Sequence, residues 1–224
     1  MKRLLLALMI LGITSAFSAQ DVAPEDDLSF KPAEALTVTD IQVPSFPASA
    51  GTVVLDAVIS ETGKMERVEV RRDLGYFTQL STDSVKGWTF SPAKMAGKAI
   101  TSRLPIAVTF RPPFMAADPV PLPQFVPQSD AAIQAEFQPA EVLFATFPLY
   151  PRVTVISGTV ILEVTLSADG KAEGVRALRD VPPLTDEAEA VVGNWRYMAA
   201  TWNGRAVRSK IVMAFLFQTV YESP

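Results

Sequence analysis

An 81-residue block occurs twice in this chain at a constant offset of 107 positions. That repeat constrains the fold more than any other feature. Phe30–Phe110 aligns with Phe137–Phe217 without insertion or deletion. The 27 identities in 81 positions decide for duplication over coincidence. Matched positions include Gly51/Gly158, Gly63/Gly170, Asp73/Asp180, Trp88/Trp195, Gly97/Gly204 and Phe110/Phe217. Whatever architecture one copy adopts, the other is expected to adopt too.

Each copy reads as β-β-α-β after an extended lead, so the expected fold class is α+β. In the second copy Val160, Leu162, Val164 and Leu166 alternate with Ile161, Glu163, Thr165 and Ser167. That period of two marks a strand with one buried face. Asp169-Gly170, matched by Thr62-Gly63, reads as a two-residue hairpin turn, because glycine accepts positive φ. A second strand follows, with Val175 and Ala177 on one face and Arg176 on the other, and Asp180-Val181-Pro182-Pro183 ends it. A helix is expected from Thr185 as N-cap to about Trp195, with Asp186 and Glu187 at the positive end of its dipole. Its counterpart runs from Thr82 or Asp83 to Trp88. Asn203-Gly204 and Ala96-Gly97 are the turns before the last strands, near Val207–Val220 and Ile100–Phe110.

The chain begins MKRLLLALMILGITSAFSAQ: a positive start, a short apolar run from Leu4 to Ile13, then small residues. This is the pattern of a secretory signal peptide, cut after Ser18 with Ala19 as the rival site. The apolar run is short against the ~20 residues of a membrane span. The location expected is the periplasm of a Gram-negative bacterium; an inner-membrane anchor formed by an uncleaved leader is the alternative. Between the copies, Arg111–Asp130 carries six prolines and no sign of a regular element. It reads as a stiff spacer, or as a strap docking Phe114, Phe125 and Val126 along the domains. The division expected is therefore a signal peptide over 1–18, a first domain over 19–112, a Pro-rich linker over 113–136 and a second domain over 137–224.

The sequence holds no cysteine and no histidine, and its net charge is −4. Disulfides, the usual zinc sites and mechanisms needing a thiolate or imidazole are removed. With no basic run, the electrostatic footprint of nucleic-acid binding is missing. No metal site or cofactor is expected. Ser91-Pro92-Ala93-Lys94 matches the S-x-x-K of serine acyl-enzymes, but it follows a helix rather than opening one and has no counterpart at Met198–Thr201. Glu187 and Glu189 lie two apart on a helix and do not face each other. Asp73 and Asp180 precede turns, where aspartate serves backbone donors. Glu25-Asp26-Asp27 reads as a solvated tail, and Trp88 and Trp195 read as core. The protein is not expected to be an enzyme, and hydrolysis ranks below both binding and a structural role.

Taken together, these residues resemble the TonB C-terminal domain family. The pattern is Tyr150-Pro151, Gly158-Thr159-Val160, Gly170, Trp195-Arg196-Tyr197, Ala199-Ala200, Gly204 and Phe217. In the first copy it is Pro44, Gly51-Thr52-Val53, Gly63, Trp88-Thr89-Phe90, Pro92-Ala93, Gly97 and Phe110. The resemblance implies a small periplasmic α+β domain. In the family's energy transducers that domain pairs its final strand with a short segment of an outer-membrane transporter. This chain has two copies and no long Pro/Lys/Glu spacer before them. What carries over is the fold and binding by strand addition.

The final strands of the copies differ. Pro105 removes a ladder donor from the first and suits an edge or a bulge. Ile211–Phe217 has no such guard, so its edge either accepts another strand or is covered within the protein. The candidate partner-binding residues are Lys210, Val212, Ala214 and Leu216 on that strand, together with Trp202 in the turn before it. The function expected is a periplasmic adaptor that takes a protein or an extended peptide, such as an outer-membrane transporter segment. The rival is an envelope structural protein whose domains pack on each other without a peptide ligand. A homo-oligomer is compatible with either.

Overall fold

The computed structural model describes residues 30–41, 50–110, 120–121, 136–151 and 156–218. The leader, Glu25-Asp26-Asp27 and the side chains of Phe114, Phe125 and Val126 lie outside the described residues. In the first copy the elements are β1 (Phe30–Lys31), β2 (Glu34–Thr37), β3 (Gly51–Ile59), β4 (Met65–Arg72), α1 (Tyr76–Val85), β5 (Thr89–Ser91), β6 (Ala93–Met95), β7 (Lys98–Ile100) and β8 (Ser102–Phe110). Val120–Pro121 forms β9 within the connector. The second copy contributes β10 (Phe137–Gln138), β11 (Glu141–Ala145), β12 (Gly158–Leu166), β13 (Ala172–Arg179), α2 (Leu184–Val192), β14 (Arg196–Met198), β15 (Ala200–Trp202), β16 (Arg205–Val207) and β17 (Ser209–Phe217). The helix and the long strands of each copy come in the expected sequence, but two short strands precede them and three more stand between the helix and the last long strand, so a bare β-β-α-β unit does not describe either copy.

Each copy keeps its short strands in small sheets of its own, but not its long ones. Their long strands join in one six-stranded sheet of order β13-β12-β17-β8-β3-β4. Within each copy the ladders are antiparallel, and at the seam β17 runs parallel to β8, with Val212 beside Ile106 and Leu216 beside Phe110. Neighbouring strands that point the same way can be exchanged only by a rotation about an axis along the strands. That rotation turns one copy over relative to the other, so the two helices cover opposite faces of the sheet. Side-chain alternation agrees. Phe110 faces α1, its ring 4.4 Å from that of Phe77. Leu216 shares that face, whereas Phe215 points the other way and meets Trp195 edge-on at 5.7 Å.

A sheet covered on both faces buries both sets of alternating residues. Ile161 and Glu163, expected on the outer face of a half-exposed strand, are both buried. Every residue of β3 and β8 is buried, and exposure returns only in the outer strands β4 and β13.

Three local expectations change. The turns at Gly63 and Gly170 are not two-residue hairpins. Each loop spans five residues, closed by Ser60 N–H to the Lys64 carbonyl (2.9 Å) and Ser167 N–H to the Lys171 carbonyl (2.8 Å). The Ser60 and Ser167 hydroxyls accept the returning Lys64 and Lys171 N–H groups. Glycine is required in these loops because a Cβ on Gly63 would meet the Phe90 carbonyl oxygen at 2.6 Å, and one on Gly170 the Tyr197 oxygen at 2.9 Å. The two-residue hairpins lie instead at Ala96-Gly97 (φ 48° and 82°) and Asn203-Gly204 (48° and 77°), where both residues have positive φ.

The second change is in the helices. α1 begins at Tyr76, well before Thr82, and its start is organised by Asp73 rather than by an N-cap side chain. Asp73 Oδ1 accepts from Gly75 N–H (2.9 Å) and from the Thr78 hydroxyl (2.5 Å), which itself accepts from Leu74 N–H. Thr185 lies inside α2 rather than at its cap, and its hydroxyl accepts from Val181 N–H at 2.8 Å. The third change is Pro105, which lies in an interior strand rather than on an edge. The parallel ladder to β17 begins one residue later, at Ile106, so β17 demands no N–H from the proline.

Candidate functional site

Burying a charged residue is costly unless it is paired and hydrogen-bonded. Both copies nevertheless place an acid mid-strand in an apolar run, Asp56 in β3 and Glu163 in β12, and both are 2% exposed. Each sits on the sheet face away from its own copy's helix. What covers it there is the lead segment of the other copy.

Glu163 is the more completely satisfied. Its Oε1 accepts from Lys210 Nζ (2.7 Å) and Arg176 Nη2 (2.9 Å), and its Oε2 from the backbone N–H of Ala35 (3.3 Å). Lys210 Nζ also donates to Glu34 Oε1 at 2.7 Å, and Arg176 Nη2 to the Ala35 carbonyl at 3.4 Å. Further along the same segment Asp40 pairs with Arg179 at 3.1 Å. The lead strand of copy one is thus clamped to copy two through charge-assisted bonds.

On the other face Arg71 Nε lies 3.1 Å from Asp56 Oδ2, as an ion pair without hydrogen-bond alignment. Glu69, beside Asp56 on β4, takes Arg67 and the buried Arg103. Burial pushes the Asp56 carboxyl up to about 7, against the pull of Arg71 and Arg103 and reinforced by Glu69 and Glu141. Burial likewise raises Glu141, the counterpart of Glu34, with Arg71 opposing. Asp56 is therefore poised to change charge near neutrality at the junction of the copies.

Aromatic rings close the seam elsewhere. Phe30 and Phe137, equivalent residues of the two copies, stack at 5.3 Å, and Trp202 stacks on Phe30 at 6.1 Å and lies tilted against Phe137 at 6.5 Å. Trp88 and Trp195 are buried as expected, and Trp195 Nε1 donates to the Thr146 carbonyl at 2.9 Å.

This arrangement corrects the expected binding edge. Both edges of β17 are filled, by β12 and by β8. Val212, Ala214 and Leu216 are buried, Lys210 is consumed in the Glu163 cluster, and Trp202 packs between the copies rather than presenting itself to a partner. The physical reason is the duplication, since each copy's final strand finds its added strand in its sister. The signal for the buried clusters was present in the sequence as an acid at the same place in two otherwise apolar strands. Read within one copy, it looked like the solvent side of an amphipathic strand.

What remains accessible is the periphery. β13 and β4 are the outer strands of the large sheet. β4 carries five charged residues, Glu66, Arg67, Glu69, Arg71 and Arg72, beside the exposed Val70, whereas β13 carries three, Glu173, Arg176 and Arg179, beside Gly174 and the exposed Val175. A cleft of ≈ 440 Å³ opens between the Gly170–Ala172 turn, Leu143, Trp195 and Tyr197, with Arg196 lying 4.8 Å over the Phe144 ring. Ser91 and Lys94 fall on β5 and β6, away from any helix start, and among the described residues no hydrogen bond joins them. Among the described residues no cluster of acids forms a metal site and no helix is long and apolar enough to cross a membrane.

Comparison with known proteins agrees with the repeat. The model of the family described as the Gram-negative bacterial TonB protein C-terminal matches residues 48–112 and 146–219, one match per copy. Among solved structures, the solution structure of the Pseudomonas aeruginosa TonB C-terminal domain is similar at 23% identity, covering 38% of this chain and 90% of that one, with a TM-score of 0.31. No curated protein matches the chain.

Proposed function

The chain belongs to the TonB C-terminal family, and from that premise we propose that it is a non-catalytic adaptor of the Gram-negative envelope that binds a protein partner by strand addition at its outer strands. One observation carries the reading. Parallel pairing of β8 with β17 uses up both final strands, while among the described residues no strand pairs with the outer edges of β4 and β13. An open strand offers unpaired backbone groups to an extended segment. β13 is the better acceptor, because it carries three charged residues, Glu173, Arg176 and Arg179, against five on β4, and Gly174 leaves its backbone uncovered. The partner in this reading is a segment of an outer-membrane transporter or of another envelope protein. The chain reaches the periplasm through its leader, cut after Ser18, and N-terminal sequencing of the mature protein tests that step.

The test is site-specific photo-crosslinking in intact cells. A crosslinker at Val175 is expected to give a discrete protein adduct that a crosslinker at the buried Val212 does not. Identical adducts from the two positions, or none from either, overturn the reading. The rival, a structural envelope protein without a peptide ligand, draws support from the same β8–β17 pairing, since the two copies satisfy each other there. It predicts no adduct at β13.

A further inference from the structure

The two lead strands occupy equivalent places but have unequal company. In copy two, β11 lies between β14 and the connector strand β9, with Phe144 opposite Pro121 and Ala145 opposite Val120. In copy one, β2 pairs with β5 alone, and among the described residues nothing pairs with its other edge. The repeat offset maps Phe144 and Ala145 onto Thr37 and Val38. We infer that the outer edge of β2 at Leu36–Val38 is a binding site for a short extended segment of a partner protein, apolar and containing proline as the chain's own Val120-Pro121 does. This deepens the adaptor reading, on which it rests, by naming an edge and a ligand chemistry.

Exposure differs between the two edges in the same sense. Leu36 is 58% exposed, whereas the same residue type at the equivalent Leu143 is 38% exposed. Thr37 is exposed where Phe144 is half-buried, and Val38 is half-buried where Ala145 is buried. The site is bounded at both ends. Ala35 already spends its N–H and carbonyl on Glu163 and Arg176, and Asp40 is tied to Arg179. The open stretch between them suits a ladder as short as the two-residue one β9 makes. Proline is compatible with such a ligand because an added edge strand need not donate at every residue. A second copy of this chain cannot be the regular occupant. Each chain brings two such edges and one connector, so exchanging connectors leaves one edge open per chain.

The probe is a synthetic peptide of Ala117–Val126, ADPVPLPQFV, added to the whole protein and followed by hydrogen exchange. Amide exchange over residues 36–38 is expected to slow at least fivefold, with residues 142–145 unchanged and no effect from the all-D peptide. The inference is overturned if the L-peptide protects nothing, if it protects 142–145 instead, or if the amides of 36–38 that point away from β5 are already protected without it. Failure here with a Val175 adduct still present would remove this edge and leave the adaptor reading intact. The reverse pair of results would do the opposite.

Discussion

Asp56 and Glu163 hold matching places in the two copies, yet their chemistry has diverged. Glu163 collects two cationic side chains and a backbone N–H, so its burial is compensated. Asp56 is raised to about 7 chiefly by burial, which the Arg71 ion pair and Arg103 offset only in part and the like charges of Glu69 and Glu141 reinforce. An acid raised on folding stabilises the fold below its unfolded value near 4, and loses that contribution as pH climbs through 7. Asp73, Asp83 and Asp169 are held low, by hydrogen bonds from Thr78, Gln79 and Lys171 respectively, so their contributions are lost only in acid. Between pH 6 and 8 the Asp56 contribution dominates. Asp56→Asn is therefore expected to gain about 1.4 kcal/mol relative to the parent across that interval, measured by urea denaturation at each pH. A difference between parent and variant that does not move with pH would contradict the assignment. Backbone strain makes a second prediction at this scale. Gly63 and Gly97 share φ near 80°, but only Gly63 has a carbonyl oxygen where its Cβ would go. Gly63→Ala should cost about 1 kcal/mol or more beyond Gly97→Ala in the same assay.

Among the elements, those with a strong local code were legible and those decided by neighbours were not. Gly51–Ile59 and Gly158–Leu166 begin at the glycines the pattern indicates, and the second strand runs up to Asp180 with Val175 and Arg176 on opposite faces. The start of α1 was hidden because Gly75 caps it without a side chain and no acid stands in the first turn. Dipeptide preference points to a hairpin turn at Asp169-Gly170, but a serine at each loop start closes a five-residue loop there, and the two-residue geometry lies at Asn203-Gly204. β17 shows the general limit. Its apolar run on both faces is equally consistent with an open acceptor edge and a central strand, and only the sister copy decides. Its central position has a direct test. Val212 is laddered to Glu163 on one side and Ile106 on the other, so its N–H faces a partner strand whichever way it points. Val212→Pro is expected to cost about 3 kcal/mol or more, read as a lowered denaturation midpoint. Unchanged stability would mean that β17 has an open edge.

For the whole molecule, duplication has turned an association problem into a folding problem. A single copy would expose the seam edge of its final strand, the sheet face under the other copy's lead segment, and a buried acid stripped of its clamp. The connector then acts as a tether, and β9 shows it also contributing a strand. With the lead segments crossed and the sheet shared, neither half has a complete core, and the intact chain is expected to unfold in one cooperative transition. The consequence for an isolated half is specific. Residues 137–217 alone retain β17 with its β8-facing edge open and hydrophobic. The most similar surface available is another copy of itself, related by the same rotation along the strands, which restores a parallel β17–β17 seam and covers each Glu163 with a lead segment from the sister chain. Light scattering after size exclusion is expected to report a dimer for this fragment and a single tether-joined unit for the intact chain. A folded monomeric fragment, with native-like hydrogen-exchange protection along β17, would show that each copy is autonomous and that the shared sheet is incidental to its stability.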